Sequence, residues 1–121
     1  MAKYIALAGF TDQGIRSIKD TVKRADAVRE AARRYGCEMS QIYWTLGAYD
    51  LVTIIDAKDE ASATAFAMAI GSAGNVRTQT LRAFSREEMA DIVGKIAEGL
   101  GCGGAIYAPQ YFSEDRQTID L

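Results

Sequence analysis

The sequence predicts an α+β domain built on one four-stranded antiparallel sheet. The first observation is the order of segments, because strand-like and helix-like periodicities alternate as β-α-β-β-α-β and one more helix follows. The second is the short connection Gly47–Asp50 between two strand-like runs, which is typical of a hairpin. This order is the split βαβ, or ferredoxin-like, arrangement, with both helices on one face of the sheet.

The first half of the chain predicts a strand and a long helix. The strand, Lys3–Phe10, is apolar on both sides, so both of its faces are expected to be covered. A helix over about Gly14–Tyr35 follows, with Thr11 or Asp12 capping its first N–H groups. Its apolar residues recur at steps of three or four and form one stripe, and its many charges form a solvated face. Gly36 ends the helix.

The second half predicts a hairpin, a second helix and a fourth strand. The hairpin strands are Gln41–Gly47 and Asp50–Ala57, and the fourth strand is Asn75–Phe84. Between them, the helix Asp59–Ser72 begins with acidic residues, which suit a helix N-terminus. This helix is apolar nearly all round, so we expect its outer side to be covered by a partner chain or by the end of this chain.

A third helix follows the last strand and leads into a segment of different composition. The sequence "SREEMADIVGKIAEGL" opens with a capping box made by Ser85 and Glu88. We therefore predict one domain over residues 1–98 and a glycine- and aromatic-rich arm over residues 99–121. A disordered tail would carry fewer aromatic residues, so we expect the arm to pack onto a protein surface.

Composition excludes several functional classes. The net charge of −2 and the pI of about 5.1 favour neither nucleic acid nor an anionic membrane as partner. Cys37 and Cys102 fit no metal or redox spacing. The first apolar run is too short for a membrane span and lacks a signal-peptide cleavage site. We therefore expect a cytoplasmic protein. With no histidine, the chain lacks the usual base and metal ligand, and we expect no cofactor or metal.

The segment from about Ala2 to Glu98 resembles the GYD-domain family. Its name describes the glycine, tyrosine and aspartate found here as Gly47, Tyr49 and Asp50, and "KYIALAGFTDQGIR" and "GNVRTQTLRAF" are similar to the rest of the family pattern. The hairpin and the "GNVRTQT" strand are also similar to the ligand-sensing domain of leucine-responsive (feast/famine) regulators. That second resemblance implies ferredoxin-like dimers or rings with effectors near subunit interfaces. The helix-turn-helix of those regulators is missing, so DNA binding is not implied.

Strands that are apolar on both sides predict self-association. Two helices cover only one face of a four-stranded sheet, and an uncovered apolar face marks an interaction site. The simplest cover is a second copy related by a two-fold axis. We therefore expect a homodimer of facing sheets, of the dimeric α/β-barrel type, or a closed ring of such dimers.

Six residues are candidates for a ligand site near the subunit interface. The hairpin contributes Tyr49 and Asp50, whose phenol and carboxylate can hold a polar ligand, although Asp50 can equally accept backbone N–H groups within the turn. The other candidates are two threonines and an arginine on the fourth strand and a tryptophan on the second: Thr78, Thr80, Arg82 and Trp44. An arginine can hold a ligand carboxylate through its planar fork, or simply reach solvent.

Three functions follow from these observations. The first is a homo-oligomeric module that binds or senses a small molecule. The alternative is a small cofactor-free enzyme, monooxygenase- or isomerase-like, in which Asp50 and tyrosines perform acid–base chemistry. The third is an adaptor subunit whose arm holds another chain. Whether the protein is an enzyme at all is left open by the sequence.

Overall fold

The computed structural model describes residues 1–100, which contain one antiparallel sheet and four α-helices. The sheet has the strand order β2-β3-β1-β4, and all neighbouring strands are antiparallel. The strands are β1 (Ala2–Phe10), β2 (Cys37–Trp44), β3 (Leu51–Ala57) and β4 (Val76–Ala83). The helices are α1 (Asp12–Arg16), α2 (Thr21–Ala32), α3 (Glu60–Ser72) and α4 (Arg86–Leu100). The predicted α+β, ferredoxin-like fold is confirmed.

The chain divides into two compact units. The first, Met1–Ala83, holds the whole sheet with α1, α2 and α3. The second begins at Phe84, and the structure describes its helix α4. The predicted boundary at residue 98 stays a prediction, since most of the predicted arm over residues 99–121 lies outside the described residues.

Register assigns the strand residues to two faces of the sheet. On one face Tyr4 lies between Ile55 and Arg82, its partners on β3 and β4. This side is the helix face, because its buried residues form one cluster with Ala32 of α2 and with Phe66 of α3. On the other side, which we call the open face, Ile5 of β1 lies between Ile54 of β3 and Leu81 of β4.

The core lies between the helix face and the helices α2 and α3. It joins aliphatic, aromatic and sulfur-containing side chains from three strands to alanines and one phenylalanine of the helices. Phe66 is almost completely buried and makes a tilted ring contact with Tyr35, with centroids 5.9 Å apart. Burying such a side chain stabilises the fold by roughly 1.5–3 kcal/mol, so Phe66 anchors the middle of α3 in the core.

The prediction of one continuous helix over Gly14–Tyr35 is wrong. The helix α1 ends at Arg16, a 3-10 turn covers Ile18–Asp20, and α2 begins at Thr21. The guanidinium of Arg24 donates hydrogen bonds to the carbonyls of Ser17 at 2.8 Å and Gly14 at 3.1 Å. A side chain therefore satisfies acceptors that a continuous helix would pair with its own N–H groups.

The strand β2 begins earlier and ends earlier than the predicted strand Gln41–Gly47. It runs over Cys37–Trp44, and its register against β3 shifts between Met39 and Gln41. Residues after Trp44 belong to the hairpin connection, where the Thr45 N–H donates to the Asp50 carbonyl at 2.8 Å. An extra residue in one strand, as at the register shift, bends that strand and increases its local twist.

The outer side of α3 is exposed among the described residues, and its predicted cover by a partner chain or by the end of this chain stays a prediction. Only Ala63 and Phe66 are buried, and the side chain of Met68 is 71% exposed. Its start does follow the sequence pattern, since the Asp59 carboxylate accepts the Ser62 N–H at 2.7 Å. The Ser62 side chain first, and then the Ser62 N–H, hydrogen-bond to the Asp59 carboxylate and hold the pKa of this carboxyl below its usual range.

The predicted capping box at the start of α4 is confirmed. The Glu88 N–H donates to the Ser85 hydroxyl at 3.1 Å, and the Ser85 N–H donates to the Glu88 carboxylate at 3.0 Å. The reciprocal pair satisfies two N–H groups at the helix start. Among residues 1–100, no helix combines the length and the hydropathy needed to cross a bilayer.

Candidate functional site

The carboxylate of Asp50 joins the hairpin to the end of the first strand. Its Oδ2 accepts the Phe10 N–H at 2.8 Å, and its own N–H donates to the Ala8 carbonyl at 2.8 Å. Both partners belong to β1, so Asp50 extends the β1–β3 pairing by one residue. The geometry matches the structural role that turn chemistry gives aspartate.

Tyr49 reaches from the hairpin to the opposite edge of the sheet. Its hydroxyl donates to the Gln79 side-chain carbonyl at 2.6 Å. Gln79 pairs with Leu7 and therefore belongs to the open face. Because the hairpin joins β2 to β3 while Gln79 lies on β4, this bond spans the end of β1. Tyr49 thus lies at the rim of the open face and remains partly exposed.

The other four candidate residues lie on the helix face. Arg82 donates hydrogen bonds to the backbone carbonyls of Lys3 and Ala83, and its guanidinium lies 5.7 Å from the centre of the Tyr4 ring. The Trp44 indole N–H donates to the Thr21 hydroxyl of α2 at 3.0 Å. Thr78 and Thr80 share the face of Arg82 by strand alternation. The six residues are therefore divided between the two faces and do not surround one ligand.

The open face is largely apolar across the sheet. Its centre consists of Ile5, Leu7, Val52 and Ile54 on the two middle strands. On the edge strand β4, Leu81 is 41% exposed. Polar residues lie at its ends, where the Lys3 ammonium and the Asp56 carboxylate form an ion pair at 2.9 Å.

A cavity of about 240 Å³ lies on the other side of the sheet, between the helix face and the helices α2 and α3. Its lining is mostly apolar and includes Ala25 of α2 and Ala67 of α3. Tyr4 also lines it, and the Tyr4 hydroxyl is buried without a hydrogen-bond partner in the described part of the chain. Sequence reasoning assigned Tyr4 only the role of a strand residue. A tyrosine facing small alanines across a sheet–helix layer is the signal that could have indicated the cavity.

Burial controls the chemistry of Cys37, whose side chain is 3% exposed. Burial first, and then the Asp59 carboxylate, raise the pKa of the Cys37 thiol above its ordinary value of 9.0, while Lys58 opposes the shift. The protonated thiol is a poor nucleophile at neutral pH. Cys37 is therefore not a candidate nucleophile.

We expect Cys37 to lower the stability of the fold in alkaline solution. In the unfolded chain the thiol loses its proton at a lower pH than in the folded chain, so the free energy of unfolding should fall as the pH rises past about 9. Urea unfolding of Cys102→Ser, and of the same variant with Cys37→Ala, tests this from pH 7 to 10. The two proteins should have different pH slopes above pH 9, and identical slopes would contradict the prediction.

The chain belongs to the GYD domain family, whose fold and hairpin have just been described. The family model for the GYD domain matches residues 4–93. A curated relative from Thermus thermophilus, the glutamine synthetase and cystathionine beta-lyase binding protein, is 30% identical over 97 residues, covering 79% of this chain and 99% of the relative. The crystal structure of TTHA0845 from the same organism is similar with a TM-score of 0.47 and 26% identity, over 70% of this chain and 95% of that one.

Proposed function

We propose that this chain is a protein-binding module whose contact surface is the open face of its sheet. The open face first pairs with a second copy of the chain, and the resulting dimer binds an enzyme of amino-acid metabolism, of the kind of glutamine synthetase or cystathionine β-lyase. The similarity to a protein named for binding glutamine synthetase and cystathionine beta-lyase supports the second part. The apolar open face supports the first.

The observation that carries the proposal is the unbroken row of aliphatic side chains at the centre of the open face. Ile5 and Ile54 are cross-strand partners, as are Leu7 and Val52, so the four form one patch on adjacent strands. Leu81 extends the patch to the edge strand beside Ile5. Contiguous apolar patches on soluble proteins mark protein interfaces, because burying them removes the unfavourable free energy of exposing apolar surface to water.

Charges at the two ends of the open face favour a second copy as its occupant. Glu38 and Asp56 are cross-strand partners at one end, and Lys3 neutralises only one of the two carboxylates. Arg77 lies at the other end, opposite Gly9. A two-fold axis running across the strands would lay the Arg77 end of one sheet over the acidic Glu38 and Asp56 end of the other. This opposite-charge pairing selects one relative orientation of the two sheets.

The small-molecule site predicted from the sequence fits this assembly through Tyr49 alone. Tyr49 lies at the rim of the open face, so its ring would border a seam between two copies. The enzyme alternative depends on Asp50 as a base, and one oxygen of that carboxylate is already held by the Phe10 N–H. The geometry therefore favours binding over catalysis.

We expect Leu81→Asp to dissociate the dimer. A carboxylate within an apolar contact loses its hydration without gaining a partner, which should weaken self-association by at least about 30-fold, on the order of 2 kcal/mol. Sedimentation velocity from about 1 to 100 µM measures this effect, in a concentration range typical of weak to moderate dimers. Met68→Asp is the matched control, since Met68 is a strongly exposed apolar residue on α3 and should leave association unchanged.

Calorimetric titration with the glutamine synthetase and the cystathionine β-lyase of the source organism tests the second part. Wild type and Met68→Asp should bind at least one of the two enzymes with equal affinity, whereas Leu81→Asp should bind it more weakly. A wild-type protein that is monomeric at 100 µM would contradict the proposed dimer. If neither the wild type nor either variant binds one of the two enzymes, the proposed class of partner is wrong.

A further inference from the structure

We infer that the cavity between the helix face and the helices α2 and α3 is a binding site for a small, mostly apolar molecule with one hydrogen-bonding group, such as a phenol. The cavity measures about 240 Å³. Protein interiors are normally packed as densely as organic crystals, with few voids larger than a water molecule. An apolar cavity of about 150 Å³ already stays dry and binds benzene. The space here is therefore sufficient for an aromatic ring with substituents.

The lining of the cavity determines the chemical class of the ligand. Small and aliphatic side chains come from both layers, including Ala8 and Leu51 from the sheet, Ala25 and Ala67 from the helices. The charged group among them is the guanidinium of Arg24, which is already hydrogen-bonded to Ser17 and to the Gly14 carbonyl. A charged ligand would lose its hydration here without gaining a counter-charge, so a neutral molecule is favoured.

The Tyr4 hydroxyl supplies an independent indication of a ligand. The Tyr4 side chain borders the cavity and is only 7% exposed, and its hydroxyl has no hydrogen-bond partner among residues 1–100. Burying a hydroxyl without a partner is costly, and such groups are rare in native proteins. A ligand that accepts from, or donates to, this oxygen would remove the cost. The ring of Tyr4 is meanwhile held by the Arg82 guanidinium, so the oxygen has a fixed position.

Two residues that the sequence singled out belong to this site. Thr78 and Thr80, which the sequence analysis placed near a subunit interface, line the cavity beside Tyr4. Their methyl and hydroxyl groups allow contact with both the apolar and the polar part of a ligand. The site lies on the opposite side of the sheet from the open face, so it does not depend on the proposed protein-binding function.

Binding of p-cresol and toluene to the full chain tests the inference. The two probes have the same apolar ring and methyl group, and p-cresol adds one hydroxyl. We expect both probes to shift the amide NMR signals of cavity-lining residues saturably, with p-cresol binding at least about fivefold more tightly. In Tyr4→Phe, which removes the unpartnered oxygen and keeps the ring, this advantage should disappear while toluene affinity is retained. The fold of Tyr4→Phe should be as stable as wild type or more stable, because the lost hydroxyl made no hydrogen bond.

A matched pair of variants on α3 locates the bound probe. Ala67→Leu places extra carbon atoms into the cavity and should weaken both probes at least about tenfold. Ala65→Leu makes the same change two residues away, at an exposed position outside the lining, and should leave both affinities unchanged. The inference is overturned if neither probe binds saturably, if Ala67→Leu binds as wild type does, or if Tyr4→Phe keeps the preference for p-cresol.

Discussion

Replacing Gly14 with alanine is expected to destabilise the protein by about 3 kcal/mol or to prevent it from folding. A Cβ atom at Gly14 would lie 1.9 Å from the carbonyl oxygen of Asn75 and 2.9 Å from its carbonyl carbon. Both are backbone atoms, so no side-chain rotation can relieve the overlap. The segments are also tied together, since Thr11 donates through its N–H to the Asn75 carbonyl and through its hydroxyl to the Gly74 carbonyl.

Gly71→Ala is the control for this effect. A Cβ at Gly71 would meet nothing within 4 Å, and Gly71 lies inside α3. Alanine there should therefore stabilise the helix by about 0.5–1 kcal/mol. Urea unfolding followed by circular dichroism measures both variants. A Gly14→Ala protein as stable as wild type would contradict the close packing of α1 against the Gly74–Asn75 turn.

Replacing Asp50 with alanine is expected to lower the free energy of unfolding by about 2 kcal/mol. The change leaves the partly buried Phe10 N–H without its carboxylate acceptor, and hydrogen bonds to charged groups contribute roughly 1.5–3 kcal/mol. Asp50→Asn should lose much less, because an amide oxygen can still accept from the same N–H. Thermal unfolding of the two variants beside wild type measures the difference.

The same two variants separate the structural role of Asp50 from a catalytic one. If Asp50 mainly joins the hairpin to β1, Asp50→Asn keeps the stability, self-association and enzyme binding of wild type. Equal loss of stability in both variants would show that the charge, rather than the acceptor position, holds the hairpin. A chemical activity abolished in Asp50→Asn would restore the enzyme interpretation.

Local sequence patterns were sufficient to predict most elements of the fold. The elements β3, α3 and β4 lie close to their predicted bounds, and the capping box of Ser85 and Glu88 forms as its spacing indicated. These features depend on neighbours a few residues apart, and such neighbours can be read from the chain. The alternation of faces on β1 followed for the same reason.

Features that depend on distant contacts could not be predicted. The break between α1 and α2 depends on hydrogen bonds from the Arg24 side chain to Ser17. The helical periodicity of the sequence continues through this break and gives no sign of it. The division of the six candidate residues between two faces depends on how β4 is aligned with β1. The size of the cavity depends on the distance between the helices and the sheet. This distance cannot be read from the order of residues.

The hydrogen bond between Trp44 and Thr21 makes the fluorescence of Trp44 sensitive to the position of α2. Trp44 is the single tryptophan of the sequence, and its indole N–H bonds to a residue of α2 that also lines the cavity. Indole emission responds to the polarity and hydrogen bonding of its surroundings. Any separation of α2 from the sheet would therefore shift the Trp44 emission spectrum of the unlabelled protein. No second tryptophan would contribute to that emission.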